Sequence, residues 1–266
     1  MQKPTWPDRE RALFLGRKAR AYGVHVLTAS GIIFAFLAMA ELFNPTPDPR
    51  WVFIWLLAAV IIDATDGPLA RLWNVKARAP RFGGRTIDEI VDYLTFTFIP
   101  LLMVWRMEWV SDPAAVWVVL AMGASLFGFS NADAKQAAKG FFMGFPSYWN
   151  VVAFYAGILA TEYAMGADVV VVLIVVLAVL TIVPVRFVYP NHAPKPWRAI
   201  LVGAGILWTA LLLAMLPSYP ELPGWGDAWV LWVSLFYPVL YVGLSAVLDV
   251  KDRRKEAPMQ GGATAE

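Results

Sequence analysis

The chain has 266 residues, 59% of them hydrophobic, and a mean hydropathy of +0.57; globular domains hold about 45–50% apolar residues, so the excess is too large for one water-soluble core. It has no cysteine and only two histidines, His25 and His192. That excludes disulfides, thiolate metal sites and cysteine nucleophiles, and leaves little room for an imidazole metal cage. A net charge of +2 carries no information as a total and gives no reason to expect a nucleic-acid partner.

Met1–Arg20 is polar and basic, with neither the short apolar core nor the small-residue cleavage site of a signal peptide. Residues 1–22 therefore read as an N-terminal segment ahead of a retained first span. About 20 apolar residues cross a bilayer as a helix. Eight such stretches follow, at roughly 23–43, 51–72, 86–106, 114–132, 149–163, 166–187, 199–216 and 228–248. The 13 tryptophans suit anchoring at lipid–water boundaries. The predicted fold is all-α, a polytopic membrane helical bundle over 23–250, followed by a charged, low-complexity tail, 251–266, that reads as disordered.

An even number of spans puts both termini on one side. With that threading only Arg50 and Arg106 fall opposite the termini, leaving 20 of the 22 Lys and Arg on the terminal side. Positive charge resists translocation, so that side is predicted to be cytoplasmic.

Carboxylates inside membrane helices are costly and point to function. The second span ends in Asp63-Ala-Thr-Asp66-Gly67-Pro-Leu-Ala70-Arg71, and the third opens with Gly84-Arg-Thr-Ile-Asp88-Glu-Ile-Val-Asp92. Asp63 and Asp66 are i and i+3, Asp88 and Asp92 i and i+4, so each pair shares a helix face. The two helices are joined by a short connector, and four carboxylates can converge near the cytoplasmic boundary. Such a cluster requires protonation or bound cations. Oxygen-only ligands point to Mg²⁺ or Mn²⁺, and a carboxylate-bridged pair of ions suits phosphoryl displacement. Gly67, Ala70 and Gly84 leave space beside the acids, and Arg71 offers a planar donor for phosphate. Interhelical salt bridges and an ion or proton pathway are the alternative readings of the same acids.

The pattern Asp63-x2-Asp66-Gly67-x2-Ala70-Arg71-x12-Gly84-x3-Asp88-x3-Asp92 resembles the signature of the CDP-alcohol phosphotransferase family at all eight fixed positions. The resemblance implies a six-helix core and transfer of a phosphatidyl-type group from a CDP-linked donor to an alcohol, with release of CMP. It implies that Asp63, Asp66 and Asp88 hold two metal ions. Asp92 would complete the metal site and act as base, while Gly67, Ala70, Arg71 and Gly84, with Asp66, frame the CDP moiety. The 12-residue spacer, Leu72–Gly83, is longer than in most members. It is similar to that of a bacterial branch that condenses CDP-diacylglycerol with free choline, and so are Tyr22–Gly31, Gly144–Asn150 and Pro184–Pro190. Serine, inositol or glycerol phosphate as acceptor, and outside the family a metal or proton transporter, are the competing readings.

Quaternary ammonium groups are recognised by aromatic faces. Phe82, Tyr93, Tyr148 and Trp149 are the candidate rings for choline, with Glu89 for charge; an interfacial aromatic belt is the plainer reading of the same rings. Lys135 and Arg186, at the cytoplasmic ends of two spans, are candidates for donor phosphate, though topology alone explains their charge. In the family the start of the first span frames the nucleotide, which makes Thr28 a CDP-binding candidate, and His25 reads as a hydrogen-bonded packing residue. The predicted partners are CDP-diacylglycerol, choline and membrane lipids, and a homodimer is compatible with the sequence. The predicted location is a bacterial inner membrane, with the active site on its cytoplasmic side.

Overall fold

The structure is a computed structural model that describes residues 8–131, 135–136, 140–190, 193–225 and 227–260. His192 lies outside the described residues. Each of the eight apolar stretches is helical. In order they are α1 (Asp8–Leu42), α2 (Pro49–Leu72), the short α3 (Val75–Arg78), α4 (Gly84–Asp92), a π-helical turn (Tyr93–Phe98), α5 (Ile99–Arg106), α6 (Ala114–Ser130), α7 (Trp149–Glu162), α8 (Gly166–Ile182), α9 (Trp197–Met215) and α10 (Asp227–Gln260). Among the described residues four helical stretches are long and apolar enough to cross a membrane: Leu13–Leu42, Pro49–Leu72, Trp197–Ser218 and Ala228–Arg253. The protein is therefore an all-helical integral-membrane protein. The apolar helices α6 and α8 have 17 residues each. At about 1.5 Å per residue they reach about 25 Å, just under a bilayer's hydrocarbon thickness.

Three boundaries differ from the sequence reading. α1 begins at Asp8, inside the segment read as preceding the first span, and α10 runs to Gln260, into the tail read as disordered. Both extensions are charged, and hydropathy registers only the apolar part of a helix. α8 stops at Ile182 because Pro184 follows; Val183 takes the extended backbone (φ −71°, ψ 139°) that a residue before proline prefers.

The described residues divide between Ile99 and Pro100 into two compact units. In the first, α1 and α2 pack along their length and α4 packs on α1. Asp48 starts α2: its side chain accepts the Arg50 amide, and Pro49 supplies a preset φ. Arg50 is paired with Asp48 at 2.7 Å, and that hydrogen bond holds the Asp48 carboxyl below its usual range. The buried residues of α2 are Pro49, Val52, Leu56, Ala59 and Asp66. At 100° per residue, positions 52, 56, 59, 63 and 66 fall on one stripe, so both signature aspartates of α2 continue its packing seam.

In the second unit α8 packs on α6 and α7, and α10 packs on the strand Arg186–Val188. A three-stranded antiparallel sheet joins β1 (Lys135–Gln136), β2 (Phe141–Met143) and β3 (Arg186–Val188), where the sequence reading placed no strand and ran its sixth span to residue 187. Its core is Phe141, Val188, Ala193, Leu201 and Leu244. Gly144 ends β2 at φ +84°, a conformation that strains any other residue. Tyr219 is buried against α7, donating its hydroxyl to the Ala153 carbonyl at 3.2 Å and stacking on Phe154. A Cβ at Gly157 would collide with that hydroxyl. Gly157→Ala is therefore expected to lower unfolding stability by about 1–3 kcal/mol. Removing the hydroxyl as well, in Gly157→Ala/Tyr219→Phe, should return part of it in a thermal melt. Equal melts for Gly157→Ala and wild type would refute the contact.

Candidate active site

Asp63 sits two turns before the end of α2, and Asp88 and Asp92 are one turn apart on α4. Each of the three is half-buried and offers one carboxylate oxygen, and the three oxygens lie within 4.8 Å of one another. Bare unit charges at that range repel by several kcal/mol even at an effective dielectric of about 20. The donor set is three hard oxygens with neither thiolate nor imidazole, which fits a divalent cation of the Mg²⁺, Mn²⁺ or Ca²⁺ kind. The site could therefore hold a metal ion.

The fourth aspartate has a partner on α1. Asp66 is outside the group of three and is 6% exposed. Its Oδ2 accepts the Thr28 hydroxyl of α1 at 2.6 Å. Thr28, a candidate nucleotide contact from sequence, is itself buried and engaged with a signature carboxylate.

The small residues have identifiable neighbours. A Cβ on Gly67 would sit 3.7 Å from Arg71 Nη1, so the exposed Arg71 side chain folds back one turn toward Gly67. Ala70 packs against the cluster of Ala21, Val24, Val75 and Ala79. Gly84 opens α4 under the His25 ring: its Cβ would come within 2.8 Å of Cε1 and 3.1 Å of Nδ1. His25 Nε2 lies 3.3 Å from the Ala79 carbonyl oxygen. A carbonyl only accepts, so Nε2 carries the proton and ties the spacer to α1. Gly84→Ala is expected to cost about 1–3 kcal/mol of stability. The same substitution should cost less in a His25→Ala background; equal costs in the two backgrounds would show that the ring is not the obstacle.

Phe82 is half exposed and stands edge-on to Tyr22 and His25 at 6.0 and 6.2 Å. The Arg81 guanidinium lies 5.8 Å from its centroid, so this ring face already receives a cation. Tyr93 begins the π turn. Glu89 is bound to Arg85 at 2.7 Å, and that hydrogen bond raises the guanidinium's pKa further.

In the second unit Tyr148 is 40% exposed, whereas Trp149 is fully buried, donating Nε1–H to Ser125 Oγ at 2.7 Å and meeting Phe145 edge-on. Arg186 lies 3.1 Å from Asp252 and 3.6 Å from Asp249 of α10. The sequence reading missed these two acids, although they stand i and i+3 within a basic stretch. Lys135 lies in β1, and its side chain is outside the described residues.

An all-helical membrane protein with an eight-position aspartate signature, three of whose carboxylates converge, is an enzyme of the CDP-alcohol phosphotransferase type. No family model matches the chain. A phosphatidylcholine synthase of Pseudomonas aeruginosa is 39% identical over 209 residues, 76% of this chain and 83% of that protein. Those of Rhizobium meliloti and Legionella pneumophila are each 32% identical, covering 83% and 86% of this chain and 89% and 87% of theirs. The chain belongs to the phosphatidylcholine synthase family.

Proposed function

We propose that the protein condenses CDP-diacylglycerol with choline, giving phosphatidylcholine and CMP. The observation that carries this reading is the convergence of Asp63, Asp88 and Asp92 in a chain so similar to phosphatidylcholine synthases over most of its length. The choline hydroxyl oxygen attacks the phosphorus that bears diacylglycerol, the bond from that phosphorus to the bridging oxygen breaks, and CMP leaves with the electron pair. Asp92 takes the hydroxyl proton as the new bond forms. Gly67, Ala70, Arg71 and Gly84 frame the CDP moiety, with Arg71 as its phosphate donor. Two Mg²⁺ or Mn²⁺ ions held by Asp63, Asp66, Asp88 and Asp92 would neutralise charge on the diphosphate.

Phe82, Tyr93, Tyr148 and Trp149 are the aromatic candidates for the choline ammonium, with Glu89 for charge; the Trp149 indole is committed to Ser125. Arg186 and Lys135 serve donor phosphate, with Asp249 and Asp252 fixing the Arg186 guanidinium. The positive-charge asymmetry supports a bacterial inner-membrane location with both termini and the active site cytoplasmic.

The test is CMP release by purified protein from CDP-diacylglycerol with Mg²⁺ or Mn²⁺ and, separately, choline, serine, inositol or glycerol phosphate. Release with choline alone is expected; release with another alcohol and none with choline would overturn the acceptor assignment. Cation–π contacts contribute about 0.5–2 kcal/mol, so Phe82→Ala or Tyr148→Ala is expected to raise the choline KM roughly 2- to 30-fold. A change in the donor KM alone would set that ring against lipid instead.

A further inference from the structure

α1 presents one face to both signature helices. His25, Thr28 and Gly31 recur every third residue. His25 lies against Gly84 and the Ala79 carbonyl, Thr28 against Asp66, and Gly31 against Val91, whose Cγ1 would be 2.6 Å from a Cβ at position 31. Thr28 is thus held at a seam fixed on either side, and it is 7% exposed. Its hydroxyl has one proton and two acceptors in reach: the Val24 carbonyl at 3.1 Å and Asp66 Oδ2 at 2.6 Å. The carboxylate is both nearer and charged, and O–H···O⁻ bonds of about 2.5–2.7 Å are among the strong ones. Asp66 is as buried as Thr28, at 6% exposed.

We propose that Thr28 is a positioning residue for the reaction, acting through Asp66. Its hydroxyl fixes the carboxylate by Oδ2 and leaves Oδ1 as the oxygen with capacity for a ligand. This gives Asp66 a fixed partner on α1, and it replaces direct nucleotide contact as the role of Thr28. The inference rests on the functional reading above.

The experiment compares wild type, Thr28→Ser and Thr28→Val in nanodiscs. Mn²⁺ binding without donor is followed by electron paramagnetic resonance, then CDP-diacylglycerol and choline kinetics, then thermal melts. Hydrogen bonds to charged groups contribute enough that Thr28→Val is expected to weaken donor-free Mn²⁺ binding about tenfold or more. The KM for CDP-diacylglycerol should rise with it and the choline KM should not, while Thr28→Ser stays within about threefold of wild type. Unchanged Mn²⁺ binding in Thr28→Val with only donor affinity reduced would overturn the inference, because Thr28 would then touch the donor itself. A Thr28→Ser protein as impaired as Thr28→Val would overturn it too, since the methyl rather than the hydroxyl would matter. Should Thr28→Val misfold, Thr28→Ala is read against Thr28→Ser in the same way. Wild-type protein that binds Mn²⁺ but releases no CMP would sink the functional reading, while the Mn²⁺ comparison still decides the role of Thr28.

Discussion

Asp92→Asn is expected to lose turnover by at least about a hundredfold while still binding CDP-diacylglycerol in a metal-dependent way. The choline hydroxyl is a poor nucleophile near neutral pH, and attack requires a base to remove its proton. Asp92 lies one turn beyond Asp88, and both offer oxygens to the same group of three. The amide keeps the shape of the carboxylate but removes the base and one negative charge. Loss of a general base costs about 10²–10⁴-fold. Weakened metal binding could mimic that loss, so Mn²⁺ affinity and donor affinity must be measured beside turnover. Glu89 is the obvious substitute base, but it is engaged by Arg85 at 2.7 Å. If Asp92→Asn turns over normally at saturating metal, the base lies elsewhere, and Glu89→Gln becomes the decisive variant.

The helical plan was legible because apolar runs long enough to span a bilayer have few other uses. What escaped was whatever hydropathy does not register. The charged ends of α1 and α10 continue a helix begun by apolar residues. The π turn at Tyr93–Phe98 shifts backbone hydrogen bonding without a residue type that announces it. The strands around Gly140 and Gly144 depend on positive φ (76° and 84°) and on pairing with β3, more than forty residues further on in sequence.

The sequence reading treated the four aspartates as one cluster, and the structure groups three of them. Residues i and i+4 diverge by about 40° around a helix, and i and i+3 by about 60°. Asp88 and Asp92 therefore stay together. Asp63 and Asp66, in a crowded seam, part company: Asp63 joins the acids of α4, while Asp66 turns to Thr28 of α1. Only the packing of α1 decides that division, and α1 is distant in sequence from both aspartates. Trp149 and Arg186 show the same gap: the sequence marks an indole and a guanidinium near the boundary, but Ser125, Asp249 and Asp252 determine what they hold.

Excess EDTA is expected to abolish turnover, with Mg²⁺ or Mn²⁺ restoring it, and Asp63→Asn should separate the electrostatic cause from mere damage to the fold. Asp63, Asp88 and Asp92 bring three carboxylate oxygens within 4.8 Å, so their mutual repulsion opposes folding of the metal-free protein. A bound cation removes that penalty and adds linkage stabilisation of about 2.7 kcal/mol at a hundredfold excess over its Kd. Asp63→Asn takes away one repelling charge and one ligand together. In EDTA the variant should melt at or above wild type. In saturating Mn²⁺ it should melt below wild type, and CDP-diacylglycerol binding should fall with the lost metal affinity. This crossing of the two melts is a signature that a packing defect does not produce, because a packing defect lowers both. A variant that melts lower than wild type in EDTA by the same margin as in Mn²⁺ would make Asp63 a structural hydrogen-bond partner. Full activity of the wild type in chelator would remove the metal from the chemistry and leave the three carboxylates to share protons instead.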